Sequence, residues 1–147
     1  MALNIREADG KDLESVLSVY REAGLDIDGS LDLKEAAEVL KRMNQYPNHK
    51  VYVAQVNGQI AGTFTLLVMD NLGHKGARSG IVEAVAVLPS FQGKGIGKEM
   101  MKYAMDRCKE DRCYKMMLSS NEGRTGAHAF YESLGFIRHG FSYRIEL

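Results

Sequence analysis

The sequence predicts a mixed α/β layer fold, with a mostly antiparallel central sheet of about seven strands flanked by four helices. Three observations predict it. Apolar residues recur at helical spacing in four stretches. Short apolar or alternating runs between them carry strand patterning. The pair Asn57-Gly58, set between two such runs, marks a tight hairpin. The resulting order, β, α, α, β, β, β, α, β, α, β, β, calls for a sheet covered by helices.

Each element rests on particular residues. Leu3 and Ile5, alternating with Asn4 and Arg6, read as a short first strand. Leu13, Val16, Leu17 and Tyr20 keep helical spacing until Gly24 stops them. Asp32 is placed as the N-cap of a second helix, with Glu35 at the capping-box position. Leu33, Ala36, Ala37, Leu40 and Met43 form its stripe, and Pro47 closes it. Val51–Ala54 and Ile60–Val68 are the arms of the hairpin. Residues 70–80 hold three glycines and read as a loop. Ile81 to Leu88 is a nearly continuous apolar run, the pattern of a central strand buried on both faces, and Pro89 and Ser90 end it. Ile96, Met100, Met101, Ala104, Met105 and Cys108 line one side of a long third helix. Tyr114–Leu118 is a strand. Ala127, Phe130, Tyr131 and Leu134 make a fourth helix, with Gly135 as its C-cap. Phe136 onward and Phe141–Leu147 are expected to close the sheet as two further strands.

Length and charge exclude several classes of function. A chain of 147 residues suits one domain over residues 1–147, and 45% hydrophobic with 26% charged residues is an ordinary globular balance. A formal net charge of +0 lacks the basic excess of a nucleic-acid binder. The N-terminal residues lack a signal peptide's apolar core, and no apolar run approaches membrane-spanning length. A cytoplasmic location with no membrane partner is therefore expected. The two cysteines, Cys108 and Cys113, are too few for a disulfide scaffold and have no partners at zinc-ligand spacing. No metal is expected, and Cys108 reads as a small core residue.

The stretch Gln92-Gly93-Lys94-Gly95-Ile96-Gly97 carries chemistry. It follows a buried strand and opens a helix. Glycine lets a ligand approach the backbone closely. A helix N-terminus adds unpaired N–H groups and a partial positive charge, so together they make an anion site suited to a diphosphate. The nucleoside-triphosphate loop fails here, because Gly97-Lys98 is followed by Glu99. The dinucleotide fingerprint fails too, because Lys98 stands where it needs a glycine. A ligand-free glycine turn remains open at this point.

In order and spacing, Gln92, Gly95 and Gly97 resemble the signature of the GNAT superfamily of N-acetyltransferases. Val85-Ala86-Val87-Leu88-Pro89 resembles that family's fourth strand. Ala127-His128-Ala129-Phe130-Tyr131-Glu132-Ser133-Leu134-Gly135-Phe136 resembles its second hallmark. The strand and helix order matches nearly end to end. The resemblance implies the acyl-CoA acyltransferase fold and acetyl-CoA as acetyl donor, lying where the fourth and fifth strands splay apart. Val85, Ala86 and Val87 then pair with the pantetheine arm. Gln92, Gly93, Lys94, Gly95, Ile96, Gly97 and Lys98 hold the pyrophosphate. Asn121 reaches the cofactor from a strand end, although the family's usual asparagine position is occupied by Arg124.

The implied reaction is attack of an amine on a thioester, and an ammonium ion must first lose a proton. Glu83 is the candidate base. It sits in an apolar run, where burial would raise its pKa toward a useful range. Alternation puts Ile81, Glu83, Val85 and Val87 on one face, barring a bulge. Tyr131 matches the family's general acid, which protonates the departing thiolate. Tyr20, His74, Arg78, Glu83 and His128 are candidate acceptor contacts, with Tyr20, Asp26 and Asp28 on the wall that usually frames the acceptor. The expected partner is a small-molecule primary amine that attacks directly in a ternary complex. Residues 71–83 resemble glucosamine-6-phosphate N-acetyltransferases, and residues 118–131 resemble aminoalkylphosphonate N-acetyltransferases. Family members often form homodimers. A protein N-terminal or lysine acetyltransferase and a non-catalytic acyl-CoA sensor are the alternatives.

Overall fold

A computed structural model describes residues 2–147. Contacts divide the chain into a large unit ending at Met117 and a small one, Leu118–Leu147. The family fold is present: four helices and a mostly antiparallel sheet. The sheet runs β1 (Leu3–Glu7), β2 (His49–Val56), β3 (Gln59–Met69), β4 (Arg78–Val87) and β5 (Cys113–Leu118), in that spatial order. The helices are α1 (Leu13–Glu22), α2 (Leu33–Met43), α3 (Ile96–Glu110) and α4 (Thr125–Ser133). No helix among the described residues is long and apolar enough to cross a membrane.

The hairpin forms as its sequence demands. Asn57 and Gly58 take φ of 50° and 85°, the two left-handed residues that a type I′ turn needs. The turn sets the β2–β3 register, with Val53 opposite Thr63 and Val51 opposite Thr65. Side chains then separate onto two faces. On one, Val16 and Val19 of α1 meet Val53, Ile60, Ala86 and Leu88, while Leu13, Leu17, Ala36, Leu40 and Val51 form an adjoining cluster. On the other, Tyr52 stacks on Phe64 at 5.1 Å and Tyr103 of α3 closes edge-on against both. Asp32 caps α2 as expected, its side chain accepting from the Glu35 N–H at 2.8 Å.

α1 is fixed at its start by an ion pair. The Arg6 guanidinium of β1 donates twice to Asp12, at 2.8 and 2.9 Å, and Asp12 also accepts from the Asp9 N–H. Hydrogen bonding to Arg6 holds the Asp12 carboxyl below its ordinary range, although its burial opposes the shift.

Two expectations need correction. Among the described residues five strands form, not about seven. Residues 137–147 take no regular structure, and Ile137, Phe141, Tyr143 and Ile145 are exposed. A strand needs a neighbour to take its backbone hydrogen bonds, so an alternating pattern alone is not sufficient. The expected loop over residues 70–80 is shorter than its glycines suggest, because β4 begins at Arg78 and Gly80 lies buried in it. A Cβ at Gly80 would collide with the Cys108 Sγ, so glycine serves close helix-to-strand packing here. Burial pushes the Cys108 thiol up to about 12, in keeping with a core role.

Gly80→Ala should lower unfolding free energy by about 1–3 kcal/mol, and adding Cys108→Ala should recover part of the loss, as read by urea denaturation. No recovery in the double variant would remove the collision as the cause. Asp12→Asn should cost about 1–3 kcal/mol at neutral pH. Because the folded carboxyl titrates below its ordinary value of 3.8, this stabilisation is present above that value and is lost as pH falls through the folded one. The gap between wild type and variant should therefore close below about pH 4. A gap that does not narrow as pH falls below the ordinary carboxylate value would contradict the assignment.

Candidate active site

The site is built around an irregularity in β4. Its pairing with β3 runs Leu67 to Ile81, Leu66 to Val82 and Thr65 to Glu83, then resumes with Thr63 opposite Ala86 and Gly62 opposite Val87. Two steps on β3 span three on β4, so β4 holds one extra residue, a β-bulge. Ala84 takes φ of 51° there. A non-glycine residue in that region costs about 1–2 kcal/mol, and such strain concentrates at functional sites.

The bulge changes which residues share a face. Simple alternation puts Val85 and Val87 with Glu83, but the extra residue breaks that series. Ile81 and Glu83 share their face with Ala86 and Leu88, both of which pack under α1. Val87 turns to the α3 side, opposite Gly62. The extra residue also leaves peptide groups near Ala84 and Val85 off the β3 ladder. β5 lies beside β4 but meets it over much less of its length than β3 does.

Glu83 is exposed, not the buried residue that the apolar run predicts, because its side of β4 opens beyond the core under α1. Its cross-strand neighbour Thr65 is buried. From α1, the Tyr20 phenol lies close to Thr65 and Thr63. Burial raises the Tyr20 phenol, and Asp26 adds to the shift. The Thr63 hydroxyl donates to the Tyr52 carbonyl at 2.8 Å.

After β4, Pro89–Phe91 make one turn of 3-10 helix. The Gln92 side chain donates back to the Val87 carbonyl at 3.1 Å, tying the glycine loop to the strand end. Phe91 packs against the core cluster, and the Lys94 ammonium lies 5.2 Å from its ring centre. Gly93 and Gly95 take φ of 75° and 83°. Gly95 is the N-cap of α3 and supplies no side-chain cap, so the N–H groups of Ile96, Gly97 and Lys98 lack intrahelical acceptors. A Cβ on Gly93 or Gly95 meets no atom within 4 Å, so the backbone faces open space there. This cradle fits a diphosphate. Lys98 is exposed at the same helix start.

The small unit holds the remaining candidates. The Asn121 side chain accepts from the Gly123 N–H at 2.8 Å, and its carbonyl accepts from Arg124 at 3.0 Å. His128 Nε2 lies 2.8 Å from that same carbonyl, so its ring ties α4 to the preceding turn. Tyr131 lies between Phe130 and Phe136, at ring distances of 5.2 and 5.6 Å. Burial raises its phenol above the ordinary value, and the Arg124 charge partly opposes this. The Ser120 hydroxyl is buried and, among the described residues, has no partner.

The structure does not bring His74 and Arg78 to Glu83. Arg78 opens β4, roughly 16 Å along the strand from Glu83 at about 3.3 Å per residue, and its guanidinium bonds Asp70 at 3.0 Å. His74 stacks on Tyr114 of β5 at 4.4 Å. Reasoning from sequence missed the bulge, the two buried threonines of β3 and the Ser120 hydroxyl. Only the threonines leave a signal, as polar residues inside the apolar run Ile60–Val68.

Known proteins resemble this chain in sequence and fold. The family model described as the acetyltransferase (GNAT) family matches residues 14–136. A glucosamine 6-phosphate N-acetyltransferase of Trypanosoma brucei brucei is 30% identical over 155 residues, covering 99% of this chain and 96% of the relative. An aminoalkylphosphonate N-acetyltransferase of Salmonella typhimurium is 25% identical over 139 residues, covering 95% of this chain and 88% of the relative. The crystal structure of a Trypanosoma brucei acetyltransferase superposes with a TM-score of 0.86 at 28% identity, covering 99% of this chain and 100% of the other.

Gly95→Ala should weaken coenzyme A binding about tenfold or more in calorimetric titration, since its methyl would enter the open cradle while the backbone strain costs about 1–2 kcal/mol. Unchanged affinity would move the diphosphate away from this loop.

Proposed function

Because this chain belongs to the GNAT acetyltransferase family and is an N-acetyltransferase, we propose that it moves the acetyl group of acetyl-CoA to a primary amine on a small molecule, by direct attack in a ternary complex. The observation that carries this reading is the course of β4. The strand is bulged at Ala84, carries Glu83 on the α1 face, and leads directly into an uncapped, glycine-lined helix start.

Members of this family use acetyl-CoA as cosubstrate, which supplies an activated thioester carbonyl. The residues present fit it. The N–H groups from Gly93 to Lys98 hold the diphosphate, with Lys94 and Lys98 adding positive charge. The peptide groups of Val85–Val87 pair with the pantetheine arm, and a Val85 N–H left off the ladder can stabilise oxyanion charge. Glu83 takes the proton that the attacking ammonium must lose, directly or through a water. A C–N bond forms, the C–S bond breaks, and the nitrogen sheds a second proton, which through solvent replaces the one that Tyr131 gives to sulfur. Tyr131 gives its phenolic proton to the departing sulfur, and its raised pKa keeps that proton available through neutral pH. In this reading residues 1–147 act as one catalytic domain.

The acceptor reading draws support from the two relatives, whose named substrates each carry both an anionic group and an amine. A screen with thiol detection tests it directly. At saturating acetyl-CoA, thiol should appear with small amines, foremost phosphorylated amino sugars and aminoalkylphosphonates. Release with peptides alone would favour a protein acetyltransferase. Tyr131→Phe should lower kcat by about 100-fold or more and leave coenzyme A affinity near wild type. Wild-type kcat should also fall only above the ordinary tyrosine value near pH 10, and this alkaline limb should vanish in the variant. An unchanged kcat would remove Tyr131 from the acid role.

A further inference from the structure

β3 is a buried central strand, and two of its buried residues are threonines. One has a structural use, since Thr63 donates to the Tyr52 carbonyl. Thr65 has a different neighbour. It stands directly opposite Glu83 in the antiparallel ladder, so the two side chains leave the sheet on the same face with Cβ atoms about 5 Å apart. From the helix above, the Tyr20 phenol lies close to Thr65 and to Thr63. Tyr20 also sits at the last turn of α1, where its carbonyl accepts from the Leu25 and Asp26 N–H groups at 2.8 and 3.3 Å. A hydroxyl column thus runs from the α1–α2 connection down to the strand beside Glu83.

The proton count along this column allows a direction that ends on Glu83. A phenol has one O–H to donate, and a threonine hydroxyl can accept it while donating its own. The Thr63 proton is committed to Tyr52, so a Tyr20 phenol that donates to Thr65 leaves the Thr65 proton for an acceptor on the open side. The acceptor on that side and at that register is the Glu83 carboxylate.

We propose that Thr65, held by Tyr20, is a positioning residue for Glu83: its hydroxyl donates to the carboxylate and fixes it toward the acceptor amine. The inference rests on Glu83 serving as the base. Other charges near Glu83 do not duplicate this contact. β3 carries no ionisable side chain. On α1, Arg21 is bonded to Ser30 and Glu22 accepts from Ser18, while Glu14 is exposed in the first turn. Asp26, beyond α1, acts on Tyr20. On β4, Arg78 is paired with Asp70. On β5, Cys113, Tyr114 and Lys115 occupy the opening residues, toward His74.

The test compares Thr65→Val, Thr65→Ser, Tyr20→Phe and Glu83→Gln by pH profiles of kcat/KM for the best acceptor at saturating acetyl-CoA. Thr65→Val should lower kcat/KM about 10- to 100-fold, the scale of one hydrogen bond to a charged group. It should also move the acid limb upward by about one pH unit, because a lost donor destabilises the ionised carboxylate. Tyr20→Phe should move the limb the same way by less, and it carries the test should Thr65→Val lose its fold. Thr65→Ser should recover most of the rate and the limb position. Coenzyme A affinity and melting temperature report on the fold. A slow Thr65→Val with an unmoved limb, or a Thr65→Ser variant as slow as Thr65→Val, assigns Thr65 to packing and overturns the proposal. If Glu83→Gln keeps wild-type kcat/KM, the base reading itself fails, and this proposal with it. If Glu83→Gln is slow while Thr65→Val matches wild type, only the positioning role falls.

Discussion

The bulge at Ala84 is the constraint on which the candidate site depends. Without it, β4 would continue in one register along β3, with all its peptide groups committed to the sheet. With it, Glu83 and the residues after Ala84 keep separate pairings, and a short length of backbone is left for a ligand. The left-handed Ala84 costs about 1–2 kcal/mol. Burial on its flanks offsets that cost, since each well-buried aliphatic side chain contributes about 1.5–3 kcal/mol. Ala86 and Leu88 beyond the bulge pack with Val16 and Val19, and Val82 before it is fully buried. The sheet is therefore stable enough to hold one strained residue at the point where chemistry is proposed.

The glycine loop depends on the same strand. Gln92 reaches back to the Val87 carbonyl, so the last paired residue of β4 and the start of the glycine loop are spaced by a side-chain hydrogen bond as well as by chain length. Gly93 and Gly95 then hold left-handed backbone conformations at no Cβ cost, which brings the N–H groups of α3 to the surface of the loop. Phe91 anchors this turn in the core. Glu83, one residue before the bulge, and the glycine loop, which begins five residues beyond Val87, mark the two ends of β4 that the proposed reaction assigns to acceptor and coenzyme.

Much of this was legible in the sequence because it depends on local chemistry. Asn57-Gly58 dictates its turn, Asp32 its cap, and the spaced glycines their cradle, since few other residues can adopt those conformations. Non-local features were not legible. Alanine carries no signal for φ of 51°, so the bulge follows from how β3 and β4 pair, and with it the exposure of Glu83. Tail residues Phe141, Tyr143 and Ile145 alternate as a strand would, yet pairing depends on a partner that no local pattern supplies. His74 and Arg78 looked available as acceptor contacts until tertiary contacts placed one on Tyr114 and the other on Asp70.

The claim that matters most is that backbone groups freed by the bulge and exposed by the glycine loop receive the coenzyme. Residue-resolved amide hydrogen exchange, with and without coenzyme A, reads those groups directly. Slowed exchange concentrated at Ala84–Val87 and Gly93–Lys98 is the expected result. Binding that leaves both segments unchanged, or that protects amides elsewhere in their place, would contradict it.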